Sequence, residues 1–145
     1  MEPRSNKAKR DKGSILADVT NLLAILYPAM QKMPKIDRIE GAPRELKTAC
    51  YGIIRHYNMA KENPEVRLAN IRAMFGDFGV MQAAFGLCVQ FGLMTDSTKF
   101  AIAIQLERIE EGIRKWRNAT RSPKSDEQLQ VTGDMSEEVA VGIIR

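Results

Sequence analysis

Ile15, Val19, Leu22, Leu26, Met30 and Met33 follow one another at spacings of four, three, four, four and three residues. Only a helix gathers such positions on one side, and the stripe must then bury itself against a partner. Ser14 precedes the stripe as a candidate N-cap, its hydroxyl able to accept from a free backbone N–H. Pro28 falls inside the pattern and Pro34 just beyond it. A proline removes one helical hydrogen bond and disfavours helical geometry in the residue before it. The first helix is therefore expected to bend at Pro28 and stop at Met33. Pro34 can open a second helix, where its missing N–H is no loss.

Three more helical patterns follow. The second runs from about Pro34 or Pro43 to Lys61, with Leu46, Ala49, Cys50, Ile53, Ile54, Tyr57 and Ala60 on its apolar face. Gly41-Ala42-Pro43 is placed to break its first part. The third spans about Glu65 to Phe91, and its expected buried face is Leu68, Ile71, Phe75, Phe78, Gln82, Phe85 and Val89. Another face holds Gly76, Gly79, Ala83 and Gly86, small residues suited to close backbone approach within the bundle or between subunits. Gly92 is expected to close this helix in the left-handed region. Asp96 or Ser97 is the expected cap of the fourth, in which Ile102, Leu106, Ile109, Ile113 and Trp116 make a coiled-coil-like seam. Four amphipathic helices with short links predict an all-α, up-down-up-down four-helix bundle. The expected division is a basic flexible N-terminus over 1–13, the bundle over 14–118, and a polar, acidic, disordered tail over 119–145.

Charge is unevenly spread. The net charge is +4, but residues 126–145 hold five acids and one base, leaving 21 Lys and Arg against 13 Asp and Glu before them. A basic bundle favours nucleic acid or another polyanion. Cys50 and Cys88 each sit in an apolar run and are read as buried free thiols of a cytoplasmic protein, not a disulfide framework. The first residues lack the apolar core of a secretory signal, and no run reaches the roughly 18 apolar residues of a membrane span.

Catalytic signals are weak. His56 is the only histidine and stands six residues from Cys50, off its helical face, so the two do not make a metal pair. Asp77-Phe78-Gly79 repeats a kinase triplet, but inside a helical pattern and without the other kinase signatures. Glu107, Glu110 and Glu111 resemble half of a metal cage with no second acidic helix to complete it. Glu110–Arg114 and Glu111–Lys115 are instead favourable pairs on a wet face. The helix-3 glycines do not match a phosphate loop. The expectation is a non-enzyme without cofactor or metal.

The order of LYP, KMPKIDR, MAKENPEVRLANI, FGLMTDSTKF and LERIEEGIRKW along residues 15–118, with Gly112, Ile113 and Trp116 in the last piece, resembles the accessory variability determinant (Avd) family of diversity-generating retroelements. The resemblance implies a homopentameric barrel of four-helix bundles with a basic surface. It implies a non-catalytic partner of the retroelement reverse transcriptase that also contacts template RNA and cDNA during mutagenic retrohoming. The expected contact residues are Lys32, Lys35, Arg38, Arg44 and Lys47 around the first turn, with Arg55 further along helix 2. Arg114, Lys115 and Arg117 come next, on the expectation that the end of helix 4 lies near the first turn. Two alternatives remain open at this point. One is a ribosomal intervening-sequence-type four-helix protein. The other is a helical metal-dependent nucleotide hydrolase.

Overall fold

A computed structural model of the chain describes residues 12–121. Among them the elements are α1 (Lys12–Gln31), α2 (Lys35–Glu40), α3 (Ala42–Glu62), a 3-10 turn (Pro64–Val66), α4 (Arg67–Gln90) and α5 (Asp96–Thr120), with no strand. The four long helices form a bundle. Neighbours around it run α1, α3, α4, α5 and back to α1.

The first stripe is the core of α1: Ile15, Val19, Leu22, Leu26, Met30 and Met33 are all buried. The helix ends at Gln31, two residues before Met33, and Pro28 lies within it, as expected. Ala24, whose carbonyl loses its partner there, is exposed, so water can supply the missing hydrogen bond. Ser14 is not the cap, because the helix already begins at Lys12. Pro34 does cap a second helix, but a short one. Gly41, extended at φ −97° and ψ −167°, separates it from α3, which carries Pro43 in its first turn.

The link from α3 to α4 is tight. The Arg67 guanidinium donates to the carbonyls of Ala60 (2.8 Å) and Lys61 (3.2 Å), which closes the end of α3. The Asn63 side chain accepts from the Glu65 N–H at 3.0 Å and opens the next turn. α4 ends on Gly92, at φ +68°, with Leu93 N–H donating to the Cys88 carbonyl and Gly92 N–H to that of Val89, both at 3.0 Å. That is the paired hydrogen bonding of a Schellman motif, and the positive φ is where glycine is favoured. Thr95, not Asp96 or Ser97, caps α5, its hydroxyl accepting from Thr98 N–H at 3.2 Å.

The seam of α5 is buried throughout, from Ile102 to Trp116. α4 departs from expectation. Its buried positions are Asn70, Ile71, Met74, Phe78, Met81, Ala84 and Cys88, while Gln82 and Val89 are exposed. Gly76, Gly79, Ala83 and Gly86 are exposed too, and a Cβ on any of these three glycines would meet nothing within 4 Å. The small residues thus serve no close approach inside this bundle. Close approach occurs elsewhere, at Gly112, where a Cβ would stand 2.9 Å from Ile15 Cγ1, and at Gly52, 2.8 Å from the Asp77 carboxylate.

These contacts fix direction. Ile15 against Gly112 sets the start of α1 beside the end of α5. Tyr57 packs on Trp116, ring centroids 5.4 Å apart, so the ends of α3 and α5 share that level. The first turn therefore sits at the opposite end of the bundle.

Candidate nucleic-acid interface

The residues expected to meet a polyanion fall into two groups, not one. Lys32, Lys35, Arg38, Arg44 and Lys47 gather at the end of the bundle formed by the first turn, α2 and the start of α3. Arg114, Lys115 and Arg117 lie at the other end. About 21 Å of helix separates Pro43 from the Tyr57–Trp116 level, at about 1.5 Å per residue. Their expected juxtaposition with the first turn is corrected by the topology. Arg55, exposed on α3, stands between the groups, closer to the α5 end.

The two groups also differ in how they are engaged. Arg114 pairs with Glu110 at 3.7 Å and Lys115 with Glu111 at 3.4 Å. The Arg117 guanidinium lies 5.0 Å from the Phe75 ring centroid. Such exposed pairs contribute only about 0.3–0.5 kcal/mol each, yet they offset local charge. At the first turn, Lys32 and Lys35 are exposed and have no ion pair among the described residues. Arg44 is exposed and reaches its neighbour Glu45 at 3.4 Å. Arg38 is half-buried, its Nε enclosed without a hydrogen-bond partner.

Two tyrosines escaped the sequence reading. Tyr27 of α1 and Tyr51 of α3 are 42% and 44% exposed, and their hydroxyls hydrogen-bond to each other across the groove between the helices. That bond holds the Tyr27 phenol above its ordinary value, with partial desolvation adding to it. The Lys47 ammonium lies 5.7 Å from the Tyr27 ring centroid, within cation–π range. A signal was present: Tyr27 and Tyr51 both lie off the apolar stripes of their helices, where a large aromatic is unexpected.

On α3's other flank, the Asp77 carboxylate accepts from His56 Nδ1 at 2.7 Å. The aspartate of the kinase-like triplet is thus an interhelical partner in α4. Between α4 and α5 lies an open groove of about 320 Å³ lined by Phe78, Gln82, Phe85, Ala103, Leu106, Glu107 and Glu110. Its acids come from α5 alone, and no cluster of three potential metal ligands occurs among the described residues. Cys50 and Cys88 are free and buried, their thiols pushed up to about 12 and about 11 mainly by burial.

The fold and surface define an all-helical bundle with basic residues at both ends, among whose described residues no helix is long and apolar enough to cross a membrane. Comparison with protein-family models, curated proteins and solved structures found no match to this chain.

Proposed function

We propose that this chain is a non-catalytic accessory protein of a diversity-generating retroelement, an Avd-like bundle that binds the reverse transcriptase and its template RNA or cDNA. The observation that carries the reading is the cationic cluster at the first turn, built by exposed Lys32, Lys35 and Arg44 with half-buried Lys47. Lysines without acidic partners at one end of a rigid bundle suit phosphates or an acidic protein surface. The proposed assembly is a homopentamer. Its support is the outer face of α4, apolar and unused within the bundle. A ring would repeat the cationic end and raise avidity without new contacts.

The test is charge reversal at exposed positions. Lys32→Glu, Lys35→Glu and Arg44→Glu together should leave helicity and oligomer mass unchanged. Binding to RNA and single-stranded DNA should weaken at least tenfold by fluorescence anisotropy, and wild-type affinity should fall steeply between about 50 and about 200 mM salt. The second arm looks for a reverse transcriptase gene with paired template and variable repeats beside this one, and tests co-purification with its product; absence of such a gene would remove the retroelement reading. Salt-insensitive binding, or equal binding by the triple variant, would remove the electrostatic surface from the proposal.

A further inference from the structure

The α1–α3 groove combines rings and cations in a way that phosphate binding alone does not use. Resting on the nucleic-acid reading above, we propose that this groove binds single-stranded nucleic acid, with unpaired bases stacked on Tyr27 and Tyr51 and the strand's phosphates on the cations of α3.

Four observations lead there. First, both tyrosines remain more than two-fifths exposed although their hydroxyls already bond to each other. The shared bond restrains the two rings, so little side-chain freedom remains to be lost when a base arrives. Second, Arg44, Lys47 and Arg55 stand seven and four residues before Tyr51 and four after it. These positions share its side of the helix. Third, Lys47 already sits over the Tyr27 ring, so cation and π-face occupy one site. Fourth, acids are sparse there beyond Glu45, which pairs with Arg44 at 3.4 Å. Asp18 is the sole acid between residues 14 and 33 and is 1% exposed, and α3 has no acid between Glu45 and Glu62. The acids of the α4–α5 groove lie across the bundle.

The chemistry selects the strandedness. A duplex keeps its base faces within the stack, whereas a single strand can offer them to aromatic side chains, tolerating any sequence because every base has a π-face. A tyrosine pair serving only to hold α1 on α3 would show no such preference.

The experiment uses the full chain. Fluorescence anisotropy measures affinity for an oligothymidylate of about 16 nucleotides and for a duplex of the same length. Wild type should prefer the single strand. Tyr27→Leu with Tyr51→Leu should lower the ratio of single-strand to duplex affinity about tenfold, as expected for losing a stacked base. Tyr27→Phe with Tyr51→Phe, which keeps the rings and loses the hydroxyl bond, should retain most of the wild-type ratio. A strand carrying 2-aminopurine should lose emission on binding wild type, a readout of stacking that needs no variant if the leucine pair disturbs the fold. An unchanged ratio in a folded leucine variant, or unquenched emission, would overturn the stacking platform and leave the phosphate surface standing. Absence of wild-type binding to either nucleic acid would overturn the functional reading itself.

Discussion

Gly112 and Gly52 show how much a single hydrogen in place of a methyl can decide. At Gly112 an added Cβ would press on Cγ1 of Ile15, a fully buried branched side chain that would have to shift. Gly112→Ala should therefore destabilise by about 1–3 kcal/mol in urea unfolding, despite the better helix propensity of alanine. At Gly52 the obstacle is the Asp77 carboxylate held by His56, so Gly52→Ala should displace that pair and move the His56 ring proton chemical shifts in NMR spectra at fixed pH. The thiols give a prediction with a sign. Cys50 and Cys88 sit above their ordinary value of 9.0 in the folded chain, so their contribution is whole below about pH 9. Above it the unfolded chain releases thiol protons first, and stability should fall by about 1.4 kcal/mol per pH unit for each thiol. Urea midpoints from pH 8 to about 10.5 should decline less steeply in Cys50→Ala with Cys88→Ala. Residue-level detail was partly legible in the sequence. The burial of both cysteines followed from their apolar runs. The caps did not: Thr95, Asp96 and Ser97 are all acceptable cap types, and only the backbone's entry angle selects Thr95.

Among the elements, α4 is the one the sequence misplaced. The faces of α1, α3 and α5 were legible because polar residues bound each stripe. α4 has only Arg67, Arg72 and Asp77 charged along its length, so its period marks no single inward face. Gln82 was the available warning, since it sat on the face read as buried and proves exposed. What remains outside is Ala69, Ala73, Gly76, Val80, Ala83 and Leu87, spaced four, three, four, three and four, and all but half-buried Ala73 are exposed. That is a heptad seam of mostly small residues, suited to another helix at close range. If the proposed oligomer forms there, Val80→Glu with Ala83→Glu should reduce the mass by light scattering towards 16.3 kDa while helicity is kept. An unchanged oligomer mass would place the subunit contact on a different face.

The whole molecule has two unlike ends. An up-down bundle of four helices must return its last helix to the level where its first began. That parity was available from the helix count, and the sequence reading missed it in placing Arg114, Lys115 and Arg117 near the first turn. The first-turn cluster itself was legible, because neighbours in sequence across a short turn stay neighbours in space. The Tyr27–Tyr51 pair joins residues 24 apart, and only the register of α1 on α3 brings them together. Arg114→Glu with Lys115→Glu should weaken nucleic-acid binding about twofold or less, against at least tenfold for the first-turn triple, since those cations already face Glu110 and Glu111. The expected N-terminal arm and acidic tail lie outside the described residues, apart from their inner edges in α1 and α5.

The meeting of Ile15 with Gly112 has a practical corollary for anyone handling the protein. Lys12 and Arg121, where the described chain begins and ends, emerge from the same end of the bundle. A dye or surface linker joined at Lys12 or Arg121 is thus anchored at the pole away from Lys32 and Lys35. Immobilised that way, the molecule presents its first turn outward, and a donor and acceptor dye placed at Arg121 and Lys35 would span the long axis as a ruler for anything that docks between them.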